Sequence, residues 1–216
     1  MPAIRRCVLL CLVLAACRQP GGSGGDRSAA DSGVAAWDFE PGVRFGALGP
    51  ASSESDLTAA YGAGNVRPAD VPLGEGETVP GTEVFGETPA RRFLVTWKDT
   101  LGRRSPDQVQ LAGDSTVWQG PLGITLGLSL RRLEQLNGRP FSLFGFGWDY
   151  GGTVATWEGG ALAPWEGRLL VTLMPHPDSY SSAAYRSVLG DRPFPSSLAA
   201  MQGLDPRAAR LVVRFP

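Results

Sequence analysis

ITLGLSLRRLEQLNGRPFSLFGFGWDYGGTVATW, the run from Ile124 to Trp157, decides the architecture of this chain. Leu130, Leu133 and Leu136, with Leu126 just outside, fall at the spacing of one helix face. Ser129 stands where an N-cap belongs, and Asn137-Gly138 supplies a stop. The aromatic run Phe141 to Trp148 reads as a strand, Asp149 to Gly152 as a turn, and Thr153 to Trp157 as the returning strand. A four-residue loop would set Trp148 opposite Thr153, Phe146 opposite Ala155 and Phe144 opposite Trp157. Side chains alternate across a strand, so Phe144, Phe146, Trp148 and Trp157 would share one face. Gly145 and Gly147 would lie on the other, beside Val154 and Thr156. Two arrangements fit this pattern. The aromatic face can receive the helix leucines as a core, or part of it can stay exposed as a recognition surface. The glycine face would let another strand layer, or a partner, approach closely. The candidate partner-binding set is therefore Trp148, Asp149, Tyr150, Phe146 and Trp157, with the first three at the tip.

A second copy of this unit lies upstream. Ser53 caps a helix from Glu54 to Tyr61, Asp56 completes a capping-box pair, and Gly62 ends it. Asp56 to Gly62 aligns with Arg132 to Gly138, matching Leu57 to Leu133 and Ala60 to Leu136. Downstream, Arg92-Phe-Leu-Val-Thr-Trp97 matches Arg168-Leu-Leu-Val-Thr-Leu173. The period is about 76 residues. Val43 to Leu48 alternates as a short strand, Leu73 to Glu77 is a turn, and Thr82 to Phe85 a strand. Arg103 to Pro106 reads as a polar connection, and Val109 to Leu111 and Thr116 to Trp118 extend the sheet. Asp178 to Ser197 reads as a long irregular loop, and Leu211 to Phe215 as a last strand. The fold class is α+β: two tandem units, residues 37–118 and 119–216, each a short helix packed on an antiparallel β meander.

Composition bounds the function classes. With 216 residues and 43% hydrophobic content, the chain can bury one core of ordinary size or two small cores that merge. A formal net charge of −1 leaves no electrostatic case for nucleic acid. At the N-terminus, Arg5-Arg6 is a positive region and Cys7 to Ala16 a short apolar one, too short to span a bilayer. Residues 1–16 are therefore expected to be a signal peptide. Residues 17–36, rich in Gly and Ser, are expected to be a tether with a reach of about 25 Å.

Leu14-Ala15-Ala16-Cys17 resembles the lipobox of bacterial lipoproteins. The resemblance implies cleavage before Cys17 and acylation of that residue, which gives a stable membrane anchor. Arg18, in place of the aspartate that marks inner-membrane retention in such proteins, implies the outer membrane, facing the periplasm. Cys7 and Cys11 would leave with the signal, so the mature chain could form no internal disulfide. The segment from Gly123 to Phe141, with its glycine-spaced Ser-Leu and its Leu-Asn-Gly-x-Pro-Phe, resembles the small outer-membrane-assembly lipoproteins of the BamE (SmpA/OmlA) type. Duplication of the unit is similar to the β-lactamase inhibitory protein fold, which has two such repeats but is disulfide-bonded. The GFGWDYGG run resembles bacterial envelope lipoproteins with no assigned activity. These resemblances imply a fold used for binding, and β-lactamase inhibition itself does not follow from them.

Catalytic motifs are weak throughout. His176 stands alone between two prolines, without the further ligands of a zinc site or the partners of a triad with Ser179, Ser181 or Ser182. Gly21-Gly-Ser-Gly-Gly25 spells a nucleophile elbow, but lacks the strand before it and the helix after it. In the hairpin register above, Asp149 and Glu158 lie more than about 15 Å apart, too far for a glycosidase pair. The glycines fit no phosphate loop. The expectation is a monomeric, non-catalytic, membrane-anchored envelope lipoprotein that binds a protein, with no cofactor and no metal. The alternative is a small-molecule or glycan binder, or an envelope hydrolase, with Trp148, Trp157 and two carboxylates around one deep pocket.

Overall fold

The computed structural model describes residues 37–216; the expected signal peptide and tether, Cys17 and the Gly21–Gly25 motif lie outside them. In chain order the elements are β1 (Phe39–Glu40), β2 (Arg44–Phe45), α1 (Glu54–Tyr61), β3 (Val66–Gly74), β4 (Glu77–Val84), β5 (Phe93–Asp99) and β6 (Arg104–Ala112). There follow α2 (Leu130–Asn137), β7 (Ser142–Phe144), β8 (Val154–Thr156), β9 (Leu169–Met174), α3 (Ala183–Ser187), β10 (Pro193–Pro195), α4 (Ala199–Leu204) and β11 (Arg207–Arg214). Helix and strand content with antiparallel pairing throughout the named strands makes the fold α+β.

Both expected helices form for the expected reasons. At α1 the Ser53 amide donates to Asp56 Oδ2 at 2.8 Å, and Gly62 ends the helix with φ +85°. At α2 Ser129 Oγ accepts from the Arg132 amide at 3.3 Å, and Gly138 closes it in the left-handed conformation at φ +74°. Leu57, Leu130 and Leu133 are fully buried, while Leu136 is half-buried against the same core. Asn137 does more than stop the helix. Its Nδ2 donates to the carbonyls of Arg139 (3.0 Å) and Trp157 (2.9 Å), and its Oδ1 accepts from the Leu162 amide at 3.1 Å. A single buried amide thereby ties α2 to the segment after β8.

The main sheet has the order β3-β4-β5-β6-β11-β9. At its centre β6 pairs with β11, Leu111 opposite Leu211 and Val109 opposite Val213. These residues, with Phe93, Val95, Leu169 and Val171, face the helices and form one core. A smaller sheet, β10-β7-β8, meets the edge of β9 through one bridge. There the Leu173 amide donates to Gly152 O at 2.9 Å, and the hydroxyls of Thr153 and Thr172 are 3.0 Å apart. The succession helix, strand, strand, strand, strand thus occurs twice, as α1-β3-β4-β5-β6 and α2-β7-β8-β9-β11, with α3, β10 and α4 inserted before β11. The matched motifs Arg92–Trp97 and Arg168–Leu173 fall on β5 and β9, which flank the central pair. All described residues belong to one compact unit with this core in common.

The structure corrects several expectations. The aromatic strand ends at Phe144 rather than Trp148, and a bulge between Ser142 and Leu143 shifts the register. Phe144 donates its amide to Thr153 O, so the expected pairing of Phe144 with Trp157 is absent. Phe146 turns away from the hairpin: its amide donates to Val188 O and its carbonyl accepts from Gly190. The segment Asp178–Ser197 is therefore no irregular loop. It holds α3 and β10, and it covers the glycine-bearing backbone, where a Cβ on Gly145 would lie 2.6 Å from the Val188 and Gly190 carbonyl oxygens. Thr116–Trp118 is not a strand; Trp118 is a fully buried ring against Phe45, 4.2 Å between centroids. The expected Val43–Leu48 strand shrinks to Arg44–Phe45, and the polar connection at Arg104–Pro106 belongs to β6. Strand β3 went unread because Pro68 and Pro72 interrupt it, which an edge strand tolerates.

Gly152 tests the junction between the two sheets. Its φ is +77°, and a Cβ there would run into the Leu173 carbonyl oxygen. Gly152→Ala is expected to cost about 3 kcal/mol or more of unfolding free energy. Gly138→Ala, with similar backbone but open space around it, is expected to cost about 1 kcal/mol. Urea denaturation of the two variants side by side checks this, and equal losses would contradict the junction's role.

Candidate functional site

Register divides the main sheet into two faces. Opposite the core, Leu94 and Thr96 of β5, Gln108 and Gln110 of β6, Arg210, Val212 and Arg214 of β11, and Leu170 and Thr172 of β9 share the second face. No helix covers it with the main core, yet Val71, Leu94 and Val212 are buried there apart from that core. The cause is the β3–β4 hairpin, which curls over the face. Gln110 Nε2 donates to Pro72 O at 3.1 Å, and a Cβ on Gly81 would meet Val71 Cγ2 at 2.6 Å. On the same face the nearly buried Glu83 carboxylate is held by Arg67 at 2.5 Å and Arg92 at 2.6 Å, which ties β3 and the approach to β5 into the curl.

From the opposite edge comes the loop between β7 and β8. Gly147, at φ +87°, lets the chain turn there. Trp148 Nε1 donates to Gly145 O at 2.9 Å, and the Trp148 ring stands edge-on to Phe144 at 5.5 Å and to Tyr150 at 5.4 Å. Trp148 is 36% and Tyr150 47% exposed, and Asp149 beside them is exposed. The Tyr150 hydroxyl reaches Glu75 Oε1 at 3.4 Å, in the turn between β3 and β4. Two loops from opposite edges of the main sheet thus meet over it.

Beneath them lies a cleft of about 350 Å³. Leu73, Gly74, Asp149 and Tyr150 form its upper walls, and Gln108, Leu170, Thr172, Arg210 and Val212 its floor. Asp107 and Arg214 stand at its side, both exposed. Arg210 is half-buried, and its Nη2 donates to Gln110 Oε1 at 2.9 Å. Among the described residues no carboxylate lies within ion-pair distance of it. Burial pulls its guanidinium down from the ordinary arginine value.

The sequence-chosen residues separate in space. Trp148, Asp149 and Tyr150 come together at the tip. Phe146 and Trp157, both 1% exposed, belong to the core and offer no contact surface, which corrects their place in the partner-binding set. Phe146 stacks on Tyr185, and Trp157 packs against Phe141 at 5.1 Å. The reason is the bulge between Ser142 and Leu143 and the pairing of Phe146 with Val188 and Gly190, which break the strand parity that put both rings beside Trp148. Glu158 accepts from Ser142 Oγ at 2.8 Å, outside the cleft lining. His176 is exposed, with Nδ1 3.3 Å from Asp178 Oδ2. Among the described residues no group of three or more His, Cys, Asp or Glu is placed to hold a metal, and no helix is long and apolar enough to cross a membrane. Arg210, Gln110 and Glu75 were missed as site residues. For Arg210 and Gln110 a signal was present, as polar residues alternating with Leu211, Val213, Val109 and Leu111 in two core strands; Glu75 lies in the β3–β4 turn, where no such alternation marks it.

Compared with family models, with characterised proteins and with solved structures, the chain has no match.

All six tryptophans lie among the described residues, and Trp148, at 36%, is the one that is exposed. Trp148→Phe is therefore expected to remove the largest share of acrylamide-quenchable fluorescence at a stability cost below about 1 kcal/mol. Stern–Volmer quenching together with urea denaturation measures both. An unchanged quenchable fraction would place the ring inside the protein.

Proposed function

We propose that this chain is a lipid-anchored, non-catalytic envelope protein whose α+β body binds another protein through the tip Trp148-Asp149-Tyr150. The observation that carries this reading is the exposed Trp148–Tyr150 pair, held edge-to-edge on a loop whose base is locked into the core. Trp and Tyr are the residue types that most often anchor protein interfaces. Pre-positioning by Phe144, the Gly145 carbonyl and the Glu75 contact reduces the ordering cost of binding. The buried Phe146 and Trp157 support the platform from below. The tandem succession of helix and strands supports the likeness to binding proteins of the two-repeat type. The lipobox-like segment at Cys17 and the Gly/Ser-rich run after it support attachment to the outer membrane, facing the periplasm, on a tether long enough to let the tip explore the space nearby. A deep pocket around Trp148, Trp157 and two carboxylates would have favoured a glycan-binding or hydrolytic role. Trp157 is in the core, and Trp148 is outside the cleft lining.

Crosslinked envelope extracts of cells producing the tagged full chain are expected to yield a specific protein partner. Trp148→Ala with Tyr150→Ala should reduce its recovery at least about tenfold, the loss of two interface anchors. Cys17→Ala should move the protein from the membrane to the soluble fraction without unfolding it. Undiminished recovery by the tip variant sinks the tip as the binding site. A membrane-bound Cys17→Ala protein sinks the lipid anchor.

A further inference from the structure

The cleft under the two loops contains a chemical imbalance that the aromatic tip does not use. Arg210 carries five N–H donors in a planar fork. Among the described residues one hydrogen bond is made, to Gln110 Oε1, and Gln110 is itself fixed by Pro72 O. The fork is thus oriented from behind by a two-link chain, while its remaining donors have no protein acceptor. Burial disfavours its charge, as the lowered pKa of the guanidinium reflects, and no carboxylate offsets that cost.

The other charged groups at the cleft differ in kind. Asp107, Asp149 and Arg214 are exposed, so water and salt screen them. Glu75, just outside, accepts from Tyr150. Arg210 is the one partly desolvated charge, and it sits among the apolar side chains of Leu73, Leu170 and Val212. We propose that this cleft is a binding site for a carboxylate borne on a small apolar body, with Arg210 as its fork-shaped receptor. A guanidinium fork matches the two oxygens of a carboxylate and binds them with paired, charge-assisted hydrogen bonds. A phosphate dianion fits less well, because it would meet a single half-buried cation with two aspartates at the rim. The cleft's roughly 350 Å³ accommodates a body the size of an acylated amino acid. Thr172 and Gln108 on the floor supply neutral hydrogen-bonding groups beside the fork.

The carboxylate can come from a free metabolite or from the end of a polypeptide, and the test separates them. The full chain, labelled with ¹⁵N-arginine, is titrated with N-acetyl-leucine, with its amide, and with a short acetylated peptide ending in leucine with a free carboxylate. The Arg210 Nε–Hε signal is expected to shift saturably with both acids and to be unmoved by the amide. Binding of the acids, followed by calorimetry, should fall at least about tenfold in Arg210→Gln. Arg210→Lys, which keeps the charge and loses the fork, should retain part of it. Tighter binding of the peptide assigns the carboxylate to a polypeptide terminus, and tighter binding of N-acetyl-leucine assigns it to a free metabolite. Equal binding of acid and amide, affinity of Arg210→Gln within about twofold of the parent, or no saturation up to about 10 mM overturns the site. The titration involves no protein partner, so it fails or succeeds independently of the Trp148–Tyr150 tip.

Discussion

The pairing of β6 with β11 is the constraint on which the remainder of the structure depends. Five residue pairs, from Arg210–Ala112 to Arg214–Gln108, join strands on either side of α2 and its hairpin. The pairs Leu211–Leu111 and Val213–Val109 point toward the helices, and the other three, Arg210–Ala112, Val212–Gln110 and Arg214–Gln108, point away and carry all the polar residues of the pairing. Slipping β6 by one residue would send Leu111 and Val109 to the open face and Gln108 and Gln110 into the core, and slipping β11 would do the same to Leu211, Val213 and Arg210. Burying unpaired amides and a guanidinium costs several kcal/mol, so the register is strongly specified. This one pairing creates the shared core and the polar second face together.

Closure of that second face follows from its edges. The β3–β4 hairpin at one edge of the main sheet and the β7–β8 loop of the small sheet beside β9, at the other edge, meet through Glu75 and Tyr150. Curling buries Val71, Leu94 and Val212, but it also buries polar groups less completely matched than those of the core. Thr96 Oγ1 has no hydrogen-bond partner among the described residues, and Arg210 has no counter-ion there. A buried hydroxyl left unpaired costs about 1–3 kcal/mol. Such costs concentrate on the face that carries the cleft and are nearly absent from the face that carries the core. The well-matched core and the incompletely matched polar groups therefore lie on opposite sides of one sheet.

Legibility in the sequence followed the range of the interactions. Both helices could be read because their signals are local: Ser53 with Asp56, Ser129 with Arg132, and the glycines that end them. The strands β5, β9 and β11 could be read from apolar content. The aromatic hairpin misled because its register depends on contacts with residues 188–190, some forty positions downstream of Phe146. A local rule of alternation placed Phe146 and Trp157 beside Trp148; a distant segment draws Phe146 into the core instead. The glycine face that alternation leaves open is occupied by the chain's own residues 188–190. Prolines hid β3, since nothing in the sequence says that a strand will lie at an edge.

Taken alone, the sequence determined the α+β class, the two capped helices, the recurring Arg-x-x-Val-Thr strand and the exposed character of Trp148-Asp149-Tyr150. Each of these is set within a few residues by dihedral preference, capping or alternation. Only the tertiary structure decided that Phe146 and Trp157 are core, that two distant loops touch, and that Arg210 lies half-buried without a counter-ion. Those outcomes depend on which strands become neighbours. That choice is made by burying one shared core across long stretches of chain, and no local pattern encodes it.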